Sequence, residues 1–218
     1  MAWDETCYES RPGVLISHAW GGRSDFEDNK AAQLAELGYV GFAIDLYGKG
    51  VRGSNPDENS VLMQPLLNDR PLLQQRMQIA LSQCRKQKEV DSTRVAAMGF
   101  CFGGLCVLDL ARTGADILGV ASFHGIFNPP DNTAGNQITA KVLVLHGWDD
   151  HLATPGQVVS LAEELTTAGS DWQIHGYGHT VHAFSNPKAN DPDHGNVYSP
   201  DADRRSWQNL QIFLAELF

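Results

Sequence analysis

Short apolar runs alternate with amphipathic stretches along almost the whole chain, and that alternation limits the folds open to it. Strands are predicted at Val14 to His18, Tyr39 to Asp45, Arg94 to Phe100, Leu118 to His124, Lys141 to His146 and Trp172 to Tyr177. Helical spacing fills the gaps at Phe26 to Leu37, Pro71 to Lys88, Gly104 to Arg112 and Pro155 to Thr167, and Arg204 to Phe218 closes the chain. A strand that returns to its own sheet through a helix does so in parallel, and a parallel sheet needs helices on both faces. The expected fold is therefore α/β, a doubly wound and mostly parallel sheet, organised as one domain over residues 1–218. Two irregular stretches, Gly48 to Asn68 and Ser185 to Asp203, are rich in Gly, Pro, Asn and Asp; loops of that length in a compact fold usually serve function.

Charge and composition remove several function classes. The net charge of −10 argues against a protein that tracks nucleic-acid phosphates, which displays a basic stripe. From Ile117 to Pro130 runs the longest segment without Asp, Glu, Lys or Arg, too short for a membrane span, so no membrane partner is expected. The first residues lack the basic start and apolar run of a secretory leader, which predicts a cytoplasmic location. Cys7, Cys84, Cys101 and Cys106 include no C-x-x-C pair and are expected as free thiols. No sequence signal bears on oligomeric state.

Chemistry concentrates at Gly99-Phe100-Cys101-Phe102-Gly103-Gly104, where a predicted strand meets a predicted helix. This is the context of a nucleophile elbow, a turn so sharp that the residues two before and two after the nucleophile must be small. Gly99 and Gly103 satisfy that demand, and cysteine occupies the slot usually held by serine. A thiol at a helix N-terminus feels the positive end of the helix dipole, which favours the thiolate.

A thiol nucleophile needs a base and a group that orients the base. The strand Lys141 to His146 leads into Gly147-Trp148-Asp149-Asp150, and the strand ending at Tyr177 leads into Gly178-His179-Thr180-Val181-His182. Cysteine, carboxylate and histidine are thus available at the ends of successive strands, where open α/β sheets build their sites. Spacing does not choose between Asp149 and Asp150. His18, His124 and His146 end strands and either line a pocket or sit satisfied in the core; His151 and His194 read as solvated loop residues. His175, His179 and His182 lie on strand and loop rather than on one helix face, so no metal is expected, and no cofactor.

Two rival readings exist. Gly48-Lys49-Gly50-Val51-Arg52-Gly53 fits G-x-G-x-x-G, yet no helix is predicted within those glycines and no acidic residue ends a second strand about 20 positions on, so a dinucleotide-binding oxidoreductase is disfavoured. A non-catalytic thiol sensor or ligand-binding protein would also display a reactive Cys101, but needs no base held in register.

The residues resemble the dienelactone hydrolase (carboxymethylenebutenolidase-like) family of α/β hydrolases. The resemblance rests on the cysteine elbow, on Leu145-His146-Gly147-Trp148-Asp149-Asp150, on His182-Ala183-Phe184 with Pro187, on His18-Ala19-Trp20-Gly21-Gly22 and on Asp45-Leu46-Tyr47-Gly48. It implies an α/β-hydrolase fold, a Cys101, Asp150 and His182 triad, and an oxyanion hole from the backbone N–H groups of Trp20 and Phe102. It further implies a small ester or lactone as substrate, with His124, Phe184, Arg52 and Arg70 as candidate substrate contacts. This chain departs from the family in having Ala19 where relatives carry a glutamate, and in lacking an arginine between Ala183 and Asp203 to grip a substrate carboxylate. Neutral substrates are therefore expected to be preferred. Few residues precede Pro12-Gly13, so one or more N-terminal edge strands are expected to be missing.

Overall fold

The computed structural model describes residues 1–6 and 9–218, so Cys7 lies outside the described residues. Six parallel strands form one sheet in the order β2-β1-β3-β4-β5-β6. They are β1 (Arg11–Ser17), β2 (Val40–Ala43), β3 (Val90–Phe100), β4 (Gly119–Phe123), β5 (Lys141–Gly147) and β6 (Trp172–Tyr177). The helices are α1 (Asp25–Glu36), α2 (Pro56–Asn68), α3 (Arg70–Arg85), α4 (Phe102–Arg112), α5 (Pro155–Thr167) and α6 (Pro200–Leu217).

Successive strand residues point to opposite faces, so the sheet divides the core into two layers. Val14 and Ile16 of β1, Ala96 and Met98 of β3, and Leu143 and Leu145 of β5 pack with Leu34 of α1 and Leu210, Phe213 and Leu214 of α6. Their neighbours Leu15, Val95, Ala97, Val142 and Val144 pack on the other face with Leu73 and Met77 of α3, Leu105 of α4 and Leu161 of α5. Burial on both faces explains why these strands read as continuous apolar runs.

The predicted elements are present, with boundary shifts that have local causes. Helix α4 begins at Phe102, directly after the elbow residue, and not at Gly104; its glycines are required by close packing and do not mark the helix start. Helix α6 begins at Pro200, capped by the Ser199 side chain, ahead of the expected Arg204. Helix α2 occupies most of a stretch expected to be irregular. Its start signals were present in Asn55-Pro56, a capping side chain followed by proline in the first turn. The second irregular stretch is mostly loop, with the two-residue strands β7 (Asn190–Asp191) and β8 (Asn196–Val197). Outside β2, among the described residues, only Ala2 continues the sheet, through a single antiparallel bridge to Gly41. No helix among the described residues is long and apolar enough to cross a membrane.

Candidate active site

Cys101 sits at the turn between β3 and α4 with φ 55° and ψ −117°, a backbone conformation that L-residues rarely adopt. The turn is held by Cys101 N–H donating to Phe123 O at 3.0 Å and by Gly104 N–H donating to Cys101 O at 2.9 Å. A Cβ on Gly99 would stand 2.1 Å from Gly103 O, and one on Gly103 would stand 2.2 Å from Ser17 O, so any larger residue at either position would break the elbow. The glycines permit a strained turn that lifts the thiol above the sheet.

His182 arrives from the loop after β6. That loop packs against the end of β5, where a Cβ on Gly147 would lie 2.6 Å from Thr180 O and 2.7 Å from Val181 O. The approach brings His182 Nδ1 to 2.7 Å from Asp150 Oδ2, while Asp150 Oδ1 accepts from Leu152 N–H at 2.8 Å. The carboxylate oxygen accepts from the ring, so Nδ1 carries a proton, and in the neutral ring the Nε2 lone pair is left for the thiol. Nε2 is buried and has no oxygen or nitrogen partner. Asp149, one residue earlier, is exposed, and its N–H donates to Thr180 O at 2.9 Å.

Thiol and imidazole shift each other. Burial alone would push the Cys101 thiol up, but the His182 charge, a hydrogen bond with His182, and the backbone N–H groups of Phe102 and Trp20 together hold it below its ordinary value. Burial would push His182 down; the Cys101 charge first, and then Asp150, raise it to about 10. Both shifts favour the charged forms, thiolate beside imidazolium. By contrast, burial pushes Cys84 up to about 12, and burial with the nearby Asp109 pushes Cys106 well above the ordinary thiol range.

A cavity of about 760 Å³ opens over the thiol, lined among others by Trp20, Arg52, Met63, His124, Ile126 and Leu152. A larger depression of about 940 Å³ lies between α5 and the loop before β5, away from Cys101. Of the candidate substrate contacts, His124 lines the cavity, buried and edge-on to His182 with ring centroids 5.1 Å apart. Its Nε2 lies 2.8 Å from Ser185 Oγ, and burial and then the His182 charge keep it neutral. Arg52 also lines the cavity, exposed and without an ion pair among the described residues.

Two candidates are corrected. Arg70 is turned away from the cavity: its Nε and Nη2 donate to the fully buried Asp109 at 2.6 and 2.5 Å, and Nη2 also donates to Asn128 O. An uncompensated buried Asp109 would be costly, which accounts for that orientation. Phe184 is fully buried among Tyr177 and His124 and supports the site from beneath.

The strand-end histidines have three different fates. His18 is a satisfied core residue, His124 lines the cavity, and His146 is buried beside Phe127 with neither ring nitrogen hydrogen-bonded. His151 and His194, read as solvated, stand exposed on the cavity rim. His175 faces Asn209 on α6, away from His182. The glycines from Gly48 to Gly53 open no helix; Gly53 N–H donates to Gly21 O at 3.1 Å, so they brace the loop after β1.

Among the cavity residues that escaped the sequence reading, Glu27 and Lys188 carry charge-bearing groups. Glu27 is buried at the first turn of α1, where burial raises its carboxyl above the usual range; the capping pattern Ser24-x-x-Glu27 was its only signal. Lys188 had no local signal at all.

A sequence model of the dienelactone hydrolase family matches residues 4–218. An uncharacterized protein of Caenorhabditis elegans is 34% identical over 149 residues, covering 67% of this chain and 94% of that protein. A protein of Bradyrhizobium sp described as a probable 2-oxo-3-(5-oxofuran-2-ylidene)propanoate lactonase is 25% identical, covering 93% of this chain and 83% of its own length. The crystal structure of a dienelactone hydrolase-like promiscuous phosphotriesterase, P91, from metagenomic libraries superposes with a TM-score of 0.93 at 36% identity, covering 99% of this chain and 90% of that one. The six-stranded sheet with its helices on both faces has the α/β-hydrolase fold.

Proposed function

Because this chain belongs to the dienelactone hydrolase family, and so to a family of hydrolases acting on small esters and lactones, we propose that it works through a Cys101, His182 and Asp150 triad and an acyl-cysteine intermediate. One observation carries the reading: His182 is held by Asp150 on Nδ1, and its buried Nε2, which has no oxygen or nitrogen partner, is left for the Cys101 thiol beside it. A thiol sensor needs no such oriented base.

In the first half-reaction the Cys101 thiolate attacks the carbonyl carbon, and the carbonyl oxygen takes the negative charge. Backbone N–H groups of Trp20 and Phe102, which face the sulfur at rest, stabilise that oxyanion. Collapse expels the alkoxide, which takes the Nε2 proton of imidazolium His182. In the second, neutral His182 removes a proton from water as its oxygen attacks the thioester. The tetrahedral intermediate expels the thiolate, and the imidazolium is left beside it as at the start. For a lactone, acid and alcohol leave as one molecule.

Kinship with a described lactonase and with a promiscuous phosphotriesterase sets the assay panel: neutral aryl esters, five-membered lactones and an aryl dialkyl phosphotriester. Stoichiometric iodoacetamide should alkylate Cys101 and abolish ester hydrolysis. Activity surviving complete alkylation of Cys101 would overturn the mechanism.

A further inference from the structure

The loop after β1 presents one critical group, the N–H of Trp20, and the three consecutive carbonyls of Ala19, Trp20 and Gly21 around it are occupied. The Ala19–Trp20 peptide oxygen accepts from Gly22 N–H at 3.2 Å and lies 2.7 Å from Nδ1 of His18. The next carbonyl, Trp20 O, accepts from the Tyr47 hydroxyl at 2.9 Å. The one after, Gly21 O, accepts from Gly53 N–H at 3.1 Å.

The tautomer of His18 follows from its other nitrogen. Leu46 N–H lies 3.2 Å from His18 Nε2, and an amide N–H can only donate. Nε2 therefore carries the lone pair, and Nδ1 carries the proton that is donated to Ala19 O. Protonating Nε2 would set two N–H groups against each other, so the buried ring is held neutral. Tyr47 lies against it with ring centroids 4.7 Å apart, and both His18 and Leu46 are almost completely buried. The ring is thus locked between the strand it ends and the corner that carries Tyr47.

We infer that His18 and Tyr47 form a clamp that aims the Trp20 N–H, making both of them positioning residues for the oxyanion of the reaction proposed above. A peptide unit rotates as a plane, so His18, by pinning Ala19 O from behind, fixes the direction of the Trp20 N–H at its front, while Tyr47 holds Trp20 O in the next peptide unit and packs on the His18 ring. Donation into the carbonyl also polarises the amide, which strengthens the N–H as a donor. An untethered loop of small residues, Ala19-Trp20-Gly21-Gly22, would let that plane turn, and preorganised direction is what gives an oxyanion donor its effect. The inference rests on the proposed role of Cys101 and adds a requirement to it: donor geometry at the transition state, which weighs more there than in the resting thiolate, where the Trp20 N–H is the smallest of the favourable influences.

The experiment compares Tyr47→Phe, His18→Phe and His18→Asn with wild type in two assays. One is kcat and KM for an aryl ester, which passes through an oxyanion; the other is the rate of Cys101 alkylation by iodoacetamide, which does not. Loss of one oxyanion donor costs on the order of 10²–10³ in rate, so His18→Phe should lower kcat by about that factor with little change in KM. Tyr47→Phe, which removes one oxygen atom, should lower kcat by a smaller factor. His18→Asn keeps a side-chain N–H where Nδ1 stands and should recover much of the loss. Alkylation depends on the Trp20 N–H only as the weakest of the groups that hold the thiol down, so it should fall by no more than a few-fold in all three variants.

Unchanged kcat in Tyr47→Phe and His18→Phe would overturn the clamp, as would a fall in alkylation parallel to the fall in kcat. If His18→Phe does not fold, Tyr47→Phe and His18→Asn decide. Failure of the thiol mechanism itself would show separately, as wild-type turnover that survives alkylation of Cys101.

Discussion

Asp150 and His182, 32 residues apart in sequence, meet through a 2.7 Å contact from which solvent is almost excluded. With Nδ1 committed to the carboxylate, His182 has one tautomer and one direction in which to accept a proton. In the Asp150→Asn variant the amide can present N–H to the ring and reverse that tautomer, so kcat should fall by roughly 10⁴-fold in a protein that still folds. Asp149→Asn alters an exposed side chain and should leave kcat within a few-fold of wild type. Side-by-side kcat values with thermal melts test this; a folded Asp149→Asn that is the more damaged would move the acid one position earlier.

The thiols should separate cleanly by reactivity. Iodoacetamide reacts with the thiolate, so near pH 7.5 it should label Cys101 well before Cys84, held up at about 12, and before Cys106. A depressed thiol pKa also means that the alkylation rate of Cys101 reaches half of its plateau below pH 9, the ordinary value. Mass spectrometry of the labelled protein gives the order, and the rate against pH gives the midpoint. A midpoint at or above pH 9 would contradict the depressed thiol.

Stability carries the same signature. Relative to the unfolded chain, folded His182 holds a proton from its ordinary value of 6.5 up to about 10, so its contribution is full below 6.5 and is lost as pH rises towards 10. Folded Cys101 has already released a proton below its ordinary value of 9, so its contribution is full above 9 and is lost as pH falls through the depressed value. At pH values above both 6.5 and the depressed thiol value, and below 9, the proton counts cancel. The pair should therefore add a flat plateau of stability that ends at pH 9 and declines from there towards 10, seen as the difference in Tm between wild type and Cys101→Ser across pH. A difference that rises with pH between 9 and 10 would refute it.

Arg52 and Lys188 line the cavity, both exposed and neither with an ion pair among the described residues. Exposed charge pairs contribute about 0.2–1 kcal/mol, or at most roughly fivefold in affinity. Neutral esters and lactones should accordingly be turned over at least as well as carboxylate-bearing ones, with Arg52→Ala changing the ratio of the two by less than about tenfold. Measured kcat/KM for a carboxylate-bearing lactone and its methyl ester checks this. A strong preference for the acid would show that these cations are drawn into a closed, desolvated site.

Behind the elbow helix, Asp109 on α4 is fully buried and receives Arg70 from α3 and Arg112 from its own helix, while Arg112 reaches Glu164 on α5 through two 2.8 Å bonds. Removing one partner of such a network leaves a buried charge alone, at about 3–5 kcal/mol. Asp109→Ala should lower Tm by roughly 10 °C for a chain of this size. Urea unfolding measures the cost directly, and a change below about 1 kcal/mol would mean that the arginines find water instead.

Local pattern carries the sheet, its two helical layers and the identity of the elbow, because each depends on spacing within a few residues. Period-two and period-3.6 hydrophobicity select strand and helix, and two glycines around Cys101 are needed wherever such a turn occurs. The order of Cys101, a carboxylate and a histidine along the chain is legible for the same reason. Which carboxylate faces the histidine is not, since adjacent turn residues point in different directions and only the packing of residues 180–181 on Gly147 selects Asp150. The same limit explains Arg70, whose partner Asp109 is 39 residues away, and Phe184, which the core claims from the cavity. It also explains Lys188, drawn to the cavity wall by a loop with no periodic signal. Side-chain direction at a loop is set by distant contacts that spacing does not encode, so tertiary structure alone decided what surrounds the thiol.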